Sequence, residues 1–220
     1  MPEYLAPGVY MEESSFPNRE LREWLGEIDV YLFDQLLKGR IRPGMRVLDA
    51  GCGSGRNAVY LLRTGADVCA VDTSPGAVGA MRELAAELAP KLPDTNFRAE
   101  PVEKMSFEDD SFDAVLAIAL LHFAPDEAQF GAMLTGLWRV LRPRGLFFAR
   151  LASSIGIEDR VQLLEGRRYR LPDGSDRFLV DEPFLLGWTD RLGGALLEPI
   201  KTVNVQNQRC MTTWCMRRER

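Results

Sequence analysis

The sequence predicts an α/β fold: a doubly wound, mostly parallel seven-stranded sheet with an antiparallel C-terminal strand pair. Three observations predict it. Short apolar runs alternate with helical patterns from Met45 to Leu151, the sequence form of right-handed βαβ crossovers. A glycine-rich turn follows the first apolar run, at the place where open α/β sheets leave a ligand crevice. Two long strand-like segments close the chain, separated by Asn207-Gln208.

Taken in order, the residues up to about Asn18 carry Pro2, Pro7, Gly8 and Pro17 and read as an irregular arm. From Arg19 to Lys38, Leu21, Trp24, Leu25, Ile28, Tyr31, Leu32, Leu36 and Leu37 recur at helical spacing, and Gly39 supplies a stop. Residues 1–40 thus form an N-terminal arm and helix, a possible lid, and 41–220 the main domain. Met45–Ala50 is the first strand, Asn57–Arg63 a helix and Ala66–Asp72 the second strand. Pro75–Leu88 is a helix capped by Ser74, with proline in its first turn. Thr95–Ala99 is a weaker strand. Phe112–Ala119 is continuously apolar, as a strand buried on both faces should be. A helix over Asp126–Leu141, a Pro143-x-Gly145 turn and a fifth strand over Leu146–Leu151 follow. Between about 157 and 193 the pattern reads as an insertion. Arg168–Arg170 and Arg177–Val180 flank a Pro-Asp-Gly-Ser turn, which predicts a hairpin, and Glu182–Leu192 a helix. Leu196–Val205 and Cys210–Arg217 are the closing strands.

Composition bounds the function. With 220 residues and 46% hydrophobic content the chain can bury one sizeable core. A net charge of −5 gives no nucleic-acid footprint, and the arginine clusters at 167–170 and 217–220 read as solvated surface. The four cysteines form no C-x-x-C pair and His122 is the only histidine, so no metal site is expected. The longest apolar run, Ala114–Leu121, is far below the roughly 20 residues of a membrane span. No secretory leader pattern opens the sequence, which predicts a cytoplasmic protein with free thiols and no membrane partner.

The most informative stretch is Asp49-Ala50-Gly51-Cys52-Gly53-Ser54-Gly55. Glycine at every second position lets backbone approach a ligand without side chains intervening. Asp49, at the strand's carboxyl end, can hold the loop and face a cationic ammonium. Asp72 ends the second strand, where an acid can accept both hydroxyls of a ribose. A dinucleotide fingerprint would place its third glycine at Arg56, and the P-loop lysine is absent, so a nicotinamide or flavin oxidoreductase is disfavoured.

These residues resemble the class I S-adenosylmethionine-dependent methyltransferase superfamily. Asp49–Gly55 is similar to its first motif and Asp72 to its ribose-binding acid. Met105-Ser106-Phe107 with Ser111-Phe112-Asp113 resembles the run entering its fourth strand, and Leu121-His122-Phe123 the segment after that strand. Trp138–Leu146 resembles the approach to the fifth. Gly55-Arg56-Asn57 is also similar to the tellurite-resistance methyltransferase group. The resemblance implies S-adenosyl-L-methionine as cofactor and S-adenosyl-L-homocysteine as product. Gly51 and Gly53 would line the methionine part, with Asp49, Cys52, Arg56 and Asn57 in the same cofactor set. Asp72 would take the ribose, Thr73 would lie beside the adenine, and Ala117 would offer a carbonyl to the ammonium. Family members often place an acid for the adenine amine where this chain has Pro101, so Val102 N–H and Glu100 or Glu103 are the substitutes.

Methyl transfer from a sulfonium needs orientation more than acid–base groups, and a general base only if the acceptor must lose a proton. His122 is the candidate base, with packing in the loop as the alternative. Arg150 and Ser153, after the fifth strand, are candidates for an acceptor carboxylate or similar anion. Tyr10 belongs to the arm that would cover the pocket. Trp24 reads as a core anchor ahead of a lid residue. The Asp/Asn-Pro-Pro-Tyr/Phe run of nucleic-acid amino-methylating relatives is replaced by Ala117-Ile118-Ala119-Leu120, which favours a small-molecule acceptor and no nucleic acid. A non-catalytic cofactor-binding module is the competing reading, and the sequence leaves the oligomeric state open.

Overall fold

The computed structural model describes residues 19–219; the N-terminal arm, and with it Tyr10, lies outside them. The region expected to form one helix forms two, α1 (Arg19–Leu25) and α2 (Val30–Leu37). The apolar spacing runs on through the break, but Gly26 takes a left-handed conformation with φ +63°. A Cβ there would sit 2.8 Å from Val59 Cγ2. Asp29 then caps α2, accepting the Tyr31 N–H at 2.9 Å and the Leu32 N–H at 3.4 Å. Trp24 is half-exposed, with the Arg63 guanidinium 5.7 Å from its ring centroid, and is not the core anchor its spacing suggested.

The alternating part follows the expected order: β1 (Arg46–Ala50), α3 (Val59–Arg63), β2 (Asp67–Asp72), α4 (Pro75–Leu88), β3 (Phe97–Ala99), β4 (Phe112–Ile118), α5 (Glu127–Val140) and β5 (Leu141–Ser153). Ser74 caps α4 and Asp126 caps α5 through their side chains. β5 begins at Leu141, the last residue of the expected α5, and Arg144 within it takes φ +66°.

The insertion is larger than a hairpin. β6 (Gln162–Glu165), β7 (Arg168–Arg170) and β8 (Asp176–Phe178) make a small antiparallel sheet, followed by α6 (Glu182–Arg191). All four β6 residues are exposed, so no alternation of apolar and polar residues marks it in the sequence. The expected Leu196–Val205 strand is divided into β9 (Gly194–Leu196) and β10 (Lys201–Val205). Both pair antiparallel with the same strand, β11 (Arg209–Arg218), on either side of Glu198-Pro199. Proline cannot donate to the ladder.

The main sheet has the order β10-β11-β5-β4-β1-β2-β3, with β9 beside β11. The five strands from β5 to β3 are parallel and the C-terminal strands antiparallel. The alternation of residues along each strand divides the core into two layers. Leu48, Val71, Val115 and Phe147 face α5 and α6, while Val47, Ala70, Leu116 and Phe148 face α2, α3 and α4. The sheet order reverses between β1 and β4, so their carboxyl ends open one crevice.

Candidate functional site

The crevice is built on the turn after β1. Gly51 and Cys52 N–H groups donate to the Val71 carbonyl at 2.8 and 3.1 Å, which ties the turn to the end of β2. Gly53, at φ +50°, donates its N–H to Asp72 Oδ2 at 3.1 Å, and nothing lies within 4 Å of where its Cβ would be. Asp72 Oδ1 accepts the Ser74 N–H at 2.9 Å. Each carboxylate oxygen has a second lone pair, so Asp72 can still accept two ribose hydroxyls. Asp49 is 2% exposed, and its Oδ2 has no hydrogen-bond partner among the described residues. Burial pushes its carboxyl up to about 7, with Arg56 pulling it down and Asp72 adding to the rise. A buried carboxyl with one unpartnered oxygen beside a glycine turn fits a ligand that brings a cation, although Asp49 lines neither of the two cavities beside it.

Two cavities open from this crevice. The first, about 360 Å³, runs from Gly51, Asp72 and Thr73 to the segment 100–103 and is closed by Leu120, Phe123 and Met133. Val102 and Glu103 are in its wall, and Glu103 accepts the Gln129 amide at 2.8 Å. Glu100 lines it too, but its two oxygens accept the Ser106 N–H and hydroxyl at 2.7 and 2.5 Å. The second, about 310 Å³, includes Arg56, His122, Arg150, Arg177 and Arg209. Ala119 belongs to both walls. Among the described residues no group of three or more His, Cys, Asp or Glu could hold a metal ion.

The two cavities lie beside the glycine turn and have Ala119 in common. Comparison with known proteins bears on what they hold. The methyltransferase-domain family matches residues 48–149. A ubiquinone biosynthesis O-methyltransferase of Methylocella silvestris is 39% identical over 106 residues, 48% of this chain and 39% of that protein. An uncharacterized methyltransferase of Synechocystis sp. is 35% identical over 108 residues, 49% of this chain and 47% of that one. Over residues 48–149 the chain is thus similar to methyltransferases, in line with the class I S-adenosylmethionine-dependent methyltransferase resemblance. The chain spans less than half the length of these two relatives. The fold likeness extends further. The 1,6-didemethyltoxoflavin-N1-methyltransferase of Burkholderia thailandensis superposes with a TM-score of 0.67 at 23% identity, covering 92% of this chain and 82% of that one.

Several residues expected at the site have other positions. Ala117, expected to offer its carbonyl, is wholly buried in β4 opposite Ala149 and is absent from both cavity walls. The strand ends at Ile118, and Ala119, at φ +56°, takes the wall position two residues later. Asn57 is buried, and its Oδ1 accepts the Asp29 N–H at 2.9 Å, so it anchors α2 and is absent from both cavity walls. The Cys52 side chain packs in the helix-side core beneath the turn, and burial, followed by Asp49 and Asp72, raises its thiol pKa. Ser153 is fully buried and accepts the Thr212 hydroxyl at 2.6 Å, inside the sheet and outside both cavities.

Arg150 does line the second cavity, but its Nη1 lies 2.5 Å from Asp29 Oδ2 and its guanidinium 5.1 Å from the Tyr31 ring centroid. Its charge is thereby paired. His122 Nδ1 accepts the Ala152 N–H at 3.1 Å, which leaves the ring proton on Nε2. Burial, with Arg177 adding to it, lowers the imidazole pKa to about 4. With its lone-pair nitrogen engaged, this ring is a neutral donor and not the general base its sequence position suggested. Phe123, Met133, Arg177 and Arg209 were not expected in the site from sequence. Met133 sits at core spacing on α5, and both arginines come from the insertion and the last strand, whose placement sequence periodicity does not reveal.

Proposed function

We propose that this chain transfers the methyl group of S-adenosyl-L-methionine to a small-molecule acceptor held in the second cavity, producing S-adenosyl-L-homocysteine. The observation that carries the reading is the shared wall at Ala119, which lines both the cavity beside Asp72 and the cavity beside His122. The cofactor supplies an electrophilic methyl on a sulfonium. The residues of this chain do the positioning. Asp49 faces the amino-acid ammonium, Asp72 accepts the ribose hydroxyls, and Thr73, Val102 and Glu103 flank the adenine. Pro101 has no N–H to offer there, so Val102 N–H is the backbone donor. His122 acts as an Nε2–H donor that orients the acceptor, and Leu120 and Phe123 keep water from the transfer path. The named relatives support a small acceptor: one belongs to ubiquinone biosynthesis and one solved structure contains bound 1,6-didemethyltoxoflavin.

The test is calorimetry with S-adenosylhomocysteine followed by turnover with labelled cofactor on small molecules, RNA and protein. Asp72→Ala should weaken binding of the homocysteine product about 10- to 100-fold, the worth of one or two charge-assisted hydrogen bonds. Unchanged affinity would refute the ribose assignment. Methyl transfer confined to RNA or protein would refute the small-molecule acceptor. Cofactor binding with no transfer in any class would favour the non-catalytic module.

A further inference from the structure

Four arginines, Arg56, Arg150, Arg177 and Arg209, line the second cavity, and Asp173 is the one acid in that wall among the described residues. The chain as a whole carries −5, so this local excess runs against the general charge. Two of the four cations are already accounted for. Arg150 is paired with buried Asp29, and Arg56 lies on the glycine turn, where its charge acts on Asp49. Arg177 and Arg209 remain. Arg177 is held in place by its Nη1–H donated to the Asp176 carbonyl at 2.8 Å and by its guanidinium lying 5.0 Å from the Phe123 ring centroid. Arg209 is exposed and makes no ion pair or side-chain hydrogen bond among the described residues. Asp173 forms no ion pair with either arginine, although the charges of Arg209 and Arg177 act on it through space and help lower its pKa. Its Oδ1 accepts the Ser175 N–H at 2.9 Å and the Ser175 hydroxyl at 2.6 Å, which holds it within its own turn. The remaining wall is largely apolar, including Ile118, Leu171, Val205 and Met211.

We propose that Arg177 and Arg209 bind an anionic group of the methyl acceptor, a carboxylate or a phosphate ester, whose apolar body lies against Ile118, Leu171 and Met211. The proposal rests on the reading of this cavity as the acceptor compartment. Guanidinium groups suit it because their planar donors match carboxylate and phosphate oxygens in pairs. Both arginines lie outside the family-matched residues 48–149. The anion requirement is therefore a property of this chain's insertion and last strand, added to a general cofactor-binding frame. At about 310 Å³ the cavity is at the small end of sites for small molecules.

The test uses the full chain saturated with S-adenosylhomocysteine and matched probes: benzoate against benzamide, and phenyl phosphate against phenol, by calorimetry at two salt concentrations. The anionic member of at least one pair should bind about tenfold or more tightly than its neutral partner, less so at high salt. The pair that discriminates identifies carboxylate or phosphate. Arg177→Gln/Arg209→Gln should remove the preference while leaving homocysteine-product affinity within about twofold, and Arg177→Lys should retain part of it. Arg209→Gln alone, at an exposed position, should reduce the preference even if the double variant folds poorly. Equal binding within both pairs, no probe binding to protein that does bind the homocysteine product, or preference retained in the variants would overturn the anion site. A parallel loss of homocysteine-product affinity would also overturn it, because the arginines would then serve the cofactor. Failure of the unmodified chain to bind S-adenosylhomocysteine would overturn the cofactor reading instead.

Discussion

At Asp49 a buried carboxyl with an unpartnered Oδ2 titrates near 7 instead of 3.8. The folded chain therefore holds a proton on this group, between those two values, that the unfolded chain has released. Stability contributed by this group falls as pH rises through that window. A cationic ligand favours the ionised form. Affinity for S-adenosylhomocysteine should then climb by up to about tenfold per pH unit below 7 and level off above it. Asp49→Asn should flatten that profile and weaken binding, yet melt no lower than the unmodified chain at pH 8 without ligand. A marked loss of ligand-free stability would show that the carboxylate has a structural partner. His122 gives a second expectation. With its pKa near 4 and its Nδ1 engaged, the kcat/KM profile should show no inflection from this ring between pH 5 and 8. His122→Gln, which keeps an N–H donor, should retain turnover within about tenfold. An inflection near pH 6 to 7 that disappears in the variant would restore the base role.

At the scale of elements, the junction of α2 with the sheet rests on one polar network. Asn57 on the glycine turn holds the Asp29 backbone, Asp29 caps α2, and its second oxygen pairs with Arg150 on β5. Asp29 is 4% exposed, so losing its charge leaves Arg150 with an unpaired, partly buried cation. Asp29→Asn should lower stability by about 2 kcal/mol, below the full value for a wholly buried pair because Arg150 retains some solvent. Adding Arg150→Met should recover part of that loss. A double variant no more stable than the sum of the singles predicts would show that the two side chains act independently. The insertion is the other telling element. It carries β6 to β8 away from the main sheet, and with α6 it returns Phe178, Phe184 and Trp188 to pack on Phe130 of α5. That packing brings Arg177 to Phe123 at the mouth of the site.

At the scale of the molecule, the described residues form two large core layers on the main sheet, and no helix among them is long and apolar enough to cross a membrane. A ligand bound across the strand ends touches β1, β2, the 100–103 segment and the loop after β4, so binding should stabilise the fold as a unit. At S-adenosylhomocysteine concentrations about a hundredfold above Kd the gain is about 2.7 kcal/mol, which for a chain of this size raises Tm by about 5–10 °C. NADH at the same excess should raise it by nothing measurable. A shift with NADH and none with the homocysteine product would reverse the cofactor assignment.

The sequence by itself determined the parallel run of β1 to β5, the cap at Ser74, the glycine turn and Asp72. Each is written in local periodicity, in a capping side chain, or in a backbone conformation that glycine supplies. The motifs that carry the superfamily resemblance also lie close together along the chain, and residues 48–149 match the methyltransferase-domain family. The tertiary structure alone decided which side chains meet. Ala117 and Ala119 are two residues apart in an apolar run, and only the end of β4 and a left-handed backbone separate core from wall. Asn57, Arg150 and Ser153 are sound candidates by position, but Asp29 and Thr212, distant in sequence, engage them. Arg177 and Arg209 enter the site because a three-stranded insertion folds back and the last strand runs antiparallel beside β5. Local pattern encodes the direction a residue faces on its own element; what it faces depends on contacts with residues far along the chain, from 28 to 121 positions away for Asn57, Ser153 and Arg150, which no periodicity records.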